Sequence, residues 1–264
     1  MIDIDGVLFD LDGVLWRRYH VSPGAAAVVA ALRRESYTLG VITNTSARSG
    51  NFICRRLRSQ HLPFRREEIT TSSDVAAYHI TVTHGGTIPV VCIGKYGSMR
   101  RSLSASGLNT ISVRGDVPRV PLVVCAGYAE RLERAEAAGI LRIAPDVIAL
   151  YATERDLWFG AADGPEPGAA WVVAAIEELL GRPATTLGKP NPLAVSVACK
   201  RLGLSPSRTI IVGDSLDSDV ACAAAAGALS CLLRDERTRR GATRGEYEPN
   251  FEINNLKSLI KLIL

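Results

Sequence analysis

Along this chain, short apolar runs rich in β-formers alternate with longer Ala- and Leu-rich stretches of helical spacing, a pattern that predicts βα units around a parallel sheet. Residues 7–10 read as the first strand. Ser22-Pro23-Gly24 then opens a helix to about Arg34, with Ser22 as N-cap and Pro23 at the first helical position. The next strand is 38–43, and Ser46 caps a helix ending near Gln60. The alternation restarts with strands at 90–93, 122–125 and 147–151. A Gly- and Pro-rich passage, 160–168, leads into a helix at 169–180 and a strand at 185–187. Helix 192–202, strand 209–212, helix 215–226 and strand 229–233 follow. Residues 253–264 space Leu256, Leu259, Ile260 and Ile263 at helical intervals, which predicts a terminal helix docked on the core.

Composition removes several classes. A chain of 264 residues that is 47% hydrophobic and 22% charged buries a substantial core and fits one large or two modest domains. Its apolar runs are too short to cross a bilayer, and the first residues lack the basic-then-apolar order of a signal peptide. A cytoplasmic protein with no membrane partner is expected. The net charge of +4 is small, and the arginines are spread without a block, so no nucleic-acid partner is expected. Of 31 basic residues only Lys95, Lys189, Lys200, Lys257 and Lys261 are lysine, a bias that a hot habitat and a GC-rich genome both produce. Cys54, Cys92, Cys125, Cys199, Cys222 and Cys231 form no C-x-x-C pair and meet no histidine at metal spacing, so they read as buried free thiols.

The chemistry gathers at strand ends. Phe9-Asp10-Leu11-Asp12-Gly13-Val14-Leu15 places two carboxylates, one residue apart, just beyond an apolar run, with a glycine to turn the chain out of the sheet. In an open α/β sheet, ligands bind outside the carboxyl ends of the strands. Thr43-Asn44, Lys189 and Gly213-Asp214 each follow a predicted strand in the same way. Singly, an Asp at a strand end is a turn former and Gly-Lys-Pro is ordinary loop chemistry; the four in this order are a constellation. A second D-x-D, Asp3-Ile4-Asp5, precedes the first, but only Met1 and Ile2 stand before it. Residues 7–9 supply a buried strand behind Asp10 alone.

The D-x-D-G-V, the strand-end Thr43, Gly188-Lys189-Pro190 and the G-D-x-x-x-x-D of Gly213 to Asp219 resemble the four signatures of the haloacid dehalogenase (HAD) superfamily, over essentially the whole chain. Val41-Ile42-Thr43-Asn44-Thr45-Ser46, Gly188-Lys189-Pro190-Asn191-Pro192 and Val212-Gly213-Asp214-Ser215-Leu216-Asp217-Ser218-Asp219 resemble its NagD, or p-nitrophenylphosphatase, branch in particular. The resemblance implies a Mg²⁺-dependent phosphatase with a Rossmann-like core. Asp10 is then the nucleophile that forms an aspartyl-phosphate, and Asp12 the general acid and base, a role that needs a carboxyl partly protonated near neutral pH. Thr43 and the amides around Asn44 bind phosphoryl oxygens, and Lys189 supplies a fixed positive charge. The Asp10 and Asp214 carboxylates with the Asp12 carbonyl hold Mg²⁺, a hard cation that favours oxygen ligands. Asp219 or Asp217 orients Lys189 or the metal's waters.

Spacing places an insertion. Asp10 to Thr43 is 33 residues, room for one crossover helix, whereas Thr43 to Lys189 is 146, far more than a connection needs. Residues 71–182 therefore read as an α/β cap inserted into a core of residues 1–70 and 183–264. A β-phosphoglucomutase-like reading is weakened, because those relatives carry a helical cap between the first two motifs. A dehalogenase has no use for Asp12, since a halide leaves without a proton. Substrate choice is expected in residues 153–163 of the cap, where the branch commonly has Thr-Asn-x-Asp and this chain has Thr153-Glu154-Arg155-Asp156. Arg155 either binds a second anion of the substrate or pairs with Glu154 or Asp156 toward solvent; Trp158 and Phe159 either stack on a ring or pack beneath the loop. The substrate is a small phosphorylated metabolite that the sequence does not name, and the resemblance points to a homodimer formed through the cap. The alternatives are a catalytically silent binding or regulatory protein on the same fold, and a phosphotransferase or mutase.

Overall fold

In a computed structural model, residues 2–161, 164–234 and 247–264 are described. The chain divides into two units, Met1–Thr43 with Gly50–Thr70 and Lys189–Leu264, and Asn44–Ser49 with Thr71–Gly188. The first unit opens with β1 (Gly6–Asp10), a short hairpin of β2 (Trp16–Arg17) and β3 (His20–Val21), helix α1 (Ala25–Arg34), β4 (Thr38–Thr43), α2 (Gly50–Arg58) and β5 (Ile69–Thr71). The second holds α3 (Ser72–His84), β6 (Pro89–Ile93), α4 (Ser98–Ala105), β7 (Asn109–Ile111), β8 (Leu122–Ala126), α5 (Arg134–Ile143) and β9 (Val147–Ala152), then a hairpin of β10 (Trp158–Ala161) and β11 (Gly164–Pro167), α6 (Ala170–Leu180) and β12 (Thr185–Thr186). The first unit resumes with α7 (Leu193–Leu202), β13 (Thr209–Gly213), a π-helical turn (Leu216–Val220), α8 (Ala221–Ala226), β14 (Leu229–Leu233), β15 (Phe251–Ile253) and α9 (Ser258–Ile263).

The first unit is built on a six-stranded sheet in the order β15-β14-β13-β1-β4-β5, with β1 parallel to both β13 and β4. Every residue of β1 and β13 is buried. Helices on both faces of a parallel sheet leave its central strands no polar side, so these strands read as unbroken apolar runs. The second unit has its own sheet, β12-β9-β8-β6-β7, parallel at each described pairing. The α/β class with two parallel sheets is the one expected. All six cysteines are free, and all but Cys92 are buried.

Several local expectations are corrected. Helix α1 starts at Ala25, because Gly24 sits in the left-handed region at φ 86 and cannot continue a helix begun at Pro23; no side chain caps it. Ser46 caps nothing, since α2 begins four residues later at Gly50 and the Ser46 hydroxyl is used elsewhere. The Gly- and Pro-rich passage carries strand β11 and the end of β10, paired from Trp158↔Pro167 to Ala161↔Gly164; Ala162 and Asp163 lie outside the described residues. Ile253 ends an edge strand, so the terminal helix is only Ser258–Ile263, although Leu256, Leu259 and Ile263 are buried against the core as their spacing implies. The chain returns to the first unit at Lys189, beyond residue 182, because Thr185 and Thr186 pair with Tyr151 and Ala152 of β9.

Candidate active site

The sheet order makes one place special. From β1 the chain proceeds to β4 and β5 on one side, then to β13, β14 and β15 on the other, so the carboxyl end of β1 is a topological switch point, where a crevice opens between diverging connections. Asp10 lies opposite Ile42, one residue before Thr43, and Phe9 opposite Val212, one residue before Gly213. Asp10, Thr43 and Asp214 therefore leave the sheet at one edge.

Lys189 reaches this edge from the segment before α7. Its ammonium donates to Asp10 Oδ1 at 2.5 Å and to Asp219 Oδ1 at 2.6 Å, and all three residues are buried. The other oxygen of Asp219, Oδ2, accepts from the amides of Asp214 and Ser215, both at 3.1 Å. That grip comes from the π-helical turn, whose Ser215 Oγ accepts from the Ser218 amide at 3.2 Å. Asp219 rather than Asp217, which is exposed, is the partner of Lys189. Two glycines make the packing possible: a Cβ at Gly213 would fall within the Asp219 side chain, and one at Gly13, in the left-handed region at φ 87, would fall on the Asp214 carboxylate.

Asp12 is exposed and takes a 2.7 Å hydrogen bond from the indole nitrogen of Trp16. Trp16 belongs to none of the signatures. Its signal is the i,i+4 spacing in Asp12-Gly13-Val14-Leu15-Trp16, where a tight turn brings Gly13 N to Trp16 O at 2.9 Å and Trp16 N to Leu11 O at 3.0 Å. The neighbouring Asp3 and Asp5 are bound by the Arg208 guanidinium at 2.5 to 2.7 Å, at the start of β1 and so about 16 Å from its far end.

Electrostatics follow from burial and crowding. Burial raises the Asp10 pKa well above the ordinary carboxylate value; Lys189 pulls it down, while Asp219, Asp214 and Asp12 push it up. Burial works against the charge of Lys189, but the charges and hydrogen bonds of Asp10 and Asp219 outweigh it and raise its pKa, so the ammonium stays protonated. Among the described residues the site is short of positive charge: the Lys189 ammonium faces the carboxylates of Asp10, Asp214 and Asp219. Carboxylate oxygens of Asp10, Asp214 and Asp219 lie within 4.8 Å of one another, a hard, anionic donor set that suits Mg²⁺. Both Asp219 oxygens are already engaged, one by Lys189 and the other by the amides of Asp214 and Ser215.

Asn44 falls in the second unit. Its side-chain amide donates to Asp156 Oδ1 at 3.1 Å, and its carbonyl accepts from Ser72 Oγ at 2.7 Å. Glu154, expected among the specificity residues, is buried and accepts from Ser46 Oγ at 2.6 Å and Ser72 Oγ at 3.1 Å. Arg155 pairs with Glu177 of α6, a partner absent from both sequence alternatives. Trp158 is largely exposed; nothing is described of the Phe159 side chain.

Comparison with known proteins gives the same answer for the chain and for the fold. Residues 2–109 match the model of haloacid dehalogenase-like hydrolases, and residues 186–259 match a second model of HAD-hydrolase-like proteins. Chronophin of Mus musculus is 30% identical over 97% of this chain and 92% of its own, and glycerol-3-phosphate phosphatase of Homo sapiens is 26% identical over 98% and 91%. The solved structure of a 4-nitrophenylphosphatase from Thermotoga maritima superposes with a TM-score of 0.87 at 27% identity, over 98% of this chain and 97% of that one. The class is thus that of the phosphoric monoester hydrolases. The chain belongs to the haloacid dehalogenase-like hydrolase family, in the NagD and p-nitrophenylphosphatase branch expected from its motifs.

Proposed function

We propose that this chain hydrolyses small phosphomonoesters through an aspartyl-phosphate on Asp10. The observation that carries the reading is the ammonium of Lys189 held between Asp10 and Asp219 at the switch point of the sheet. An Asp10 carboxylate oxygen attacks phosphorus in line with the ester oxygen. The P–O ester bond breaks as Asp12 delivers its proton to the leaving alcohol. Asp12, now a carboxylate, takes a proton from water, the resulting hydroxide attacks the phosphoryl group, and the Asp10–phosphorus bond breaks to release inorganic phosphate and the free carboxylate. Lys189, fixed by Asp219, stabilises charge on the phosphoryl oxygens, and Thr43 with the amide of the next residue, Asn44, binds those oxygens. Bound Mg²⁺ would neutralise phosphoryl charge, held by the Asp10 and Asp214 carboxylates and the Asp12 carbonyl.

A small phosphorylated metabolite is the substrate class, in keeping with the names of the relatives. Choice among such molecules belongs to the second unit, since the strand-end groups of the first see only what all phosphomonoesters share. The test is release of phosphate from p-nitrophenyl phosphate with and without chelator. Turnover is expected to need Mg²⁺ and to return when it is restored, and Asp10→Asn is expected to lower kcat by about 10⁴-fold or more in a folded protein. Unchanged turnover after thorough chelation would refute the metal role, and an active Asp10→Asn protein would refute the nucleophile.

A further inference from the structure

Glu154 is a buried acid for which the reaction just described has no use. It is 3% exposed and lies two residues beyond the end of β9. Every described contact to its carboxylate is a donor. Ser46 Oγ donates to Oε1 at 2.6 Å, the Tyr128 amide lies 3.3 Å from the same oxygen, and Ser72 Oγ lies 3.1 Å from Oε2. The contacts run on into the chain that leaves β4. The single Ser72 hydroxyl proton is shared with the Asn44 carbonyl, its nearer acceptor at 2.7 Å, the Tyr128 amide donates to Ser46 Oγ at 2.9 Å, and the Asn44 side chain is tied to Asp156 at 3.1 Å. Both ends of the turn, Asn44 and Ser46, are therefore gripped from one carboxylate, Asn44 through Ser72 and Ser46 directly.

The surroundings leave this turn little freedom. Ser46, Ser72 and Thr153 are all buried, and a Cβ at Gly127 would press on Ser46 Oγ and Thr153 Oγ1. A carboxylate is acceptor-only and can take several donors at once, which suits a cluster of two hydroxyls and an amide. Burying it with no cation beside it among the described residues is costly, and burial does push the Glu154 pKa to about 7, with hydrogen bonds from Ser46, Thr153 and Ser72 opposing the rise and Asp156 adding to it. A group kept at such a cost, with its donors converging on one turn, points to a task for that turn.

We propose that Glu154 is a positioning residue for the phosphoryl-binding turn: through Ser46 and Ser72 it holds Asn44–Ser46 in the shape that presents Thr43 and the Asn44 amide to the phosphoryl oxygens. This rests on the binding role proposed above for Thr43 and the Asn44 amide. Glu154 is buried and lies outside the carboxylate group of Asp10, Asp214 and Asp219, so its removal is expected to weaken phosphate binding more than it slows the chemical steps.

The experiment compares KM and kcat for p-nitrophenyl phosphate, and the inhibition constant for inorganic phosphate, in wild type, Glu154→Ala, Glu154→Gln, Ser46→Ala and Ser72→Ala, with Thr43→Ala as control. Glu154→Ala is expected to raise KM and the phosphate inhibition constant together by about tenfold, with a smaller change in kcat. Glu154→Gln is expected to recover most of that loss. Ser46→Ala should share the defect, and the double variant Ser46→Ala/Glu154→Ala should be little worse than Glu154→Ala. A Glu154→Ala protein with lower kcat or melting temperature but wild-type KM and phosphate inhibition would overturn the proposal. If Glu154→Ala does not fold, wild-type phosphate inhibition in both Ser46→Ala and Ser72→Ala would overturn it equally. If Thr43→Ala itself leaves phosphate inhibition unchanged, the binding role of the turn falls, a failure distinct from that of Glu154 alone.

Discussion

Lys189 and Asp10, 179 residues apart in the chain, meet through a 2.5 Å hydrogen bond in which the buried ammonium donates to the carboxylate. The pair is completed by Asp219, so a single cation separates two buried acids. Replacing Lys189 by methionine keeps the length and removes the charge. Two consequences follow from the same loss. The phosphoryl group loses its fixed positive partner, and kcat should fall by about 10²–10³-fold. Asp10 and Asp219 are left buried without their cation, which should cost roughly 3–5 kcal/mol of stability. Kinetics and thermal melting of Lys189→Met check both; a variant with normal kcat would remove Lys189 from the reaction.

Trp16 links the core of the first unit to Asp12. The ring is buried, while its indole nitrogen holds the exposed Asp12 carboxylate at 2.7 Å. The acid proposed to shuttle the proton is thus held by a side chain packed in the core. Trp16→Phe keeps an aromatic core residue and deletes the donor. A hydrogen bond to a charged group contributes about 1.5–3 kcal/mol, so kcat should fall at least tenfold, with the phosphate inhibition constant unchanged. If kcat holds at the wild-type level, Asp12 is positioned by something else.

What the sequence reveals here is what local periodicity encodes. Strands β1, β4 and β13 are buried on both faces, so each appears as a continuous apolar run whose end can be located within a residue, and Asp10, Thr43 and Asp214 follow from those ends. Gly24 shows the limit: Ser-Pro-Gly is good helix-start chemistry, but a left-handed glycine resets the start to Ala25. Ser46 shows another, since a serine before an apolar stretch looks like a cap until a partner 108 residues away takes its hydroxyl. Asn44 is bound to Asp156 across 112 residues, and no spacing rule within either segment announces that contact. The π-helical turn that brings Asp219 to Lys189 is likewise hidden inside what reads as an ordinary helix.

Arg155 separates two views of substrate choice. An arginine aimed at a second anionic group of the substrate would matter for metabolites and not for p-nitrophenyl phosphate. Its guanidinium instead pairs with Glu177, and the side chain is 41% exposed. A surface pair of this kind contributes about 0–1 kcal/mol. Arg155→Ala should therefore change KM less than threefold for both p-nitrophenyl phosphate and the best substrate from a phosphorylated-metabolite panel, within the factor that about 0.6 kcal/mol produces. A selective rise in KM for the metabolite alone would return Arg155 to the specificity residues.

Glu68 offers a test of folding electrostatics away from the reaction. The side chain is 2% exposed and is held by two arginines: Arg33 of α1 donates to its two oxygens at 3.1 and 2.9 Å, and the Arg65 amide donates at 2.7 Å. Burial alone would raise its pKa; the Arg33 hydrogen bond, the Arg65 amide and the charges of both arginines outweigh it and hold the carboxyl below its ordinary 4.5. A pKa lower in the folded than in the unfolded chain means that the unfolded chain binds the proton more readily. The resulting stability is present in full above the unfolded value and is lost as pH falls through the folded one. Glu68→Gln keeps the shape and one acceptor oxygen but never ionises. At pH 7 it should melt about 2–8 °C below wild type, taking roughly 1–2 kcal/mol for a buried charged hydrogen-bond set and about 2–4 °C per kcal/mol at this chain length. Below pH 4.5 the gap should narrow as wild type protonates and comes to resemble the variant. Thermal melts of both proteins at pH 7 and pH 4 decide the matter: a gap of the same size at both would show that Glu68 acts through its shape and not its charge.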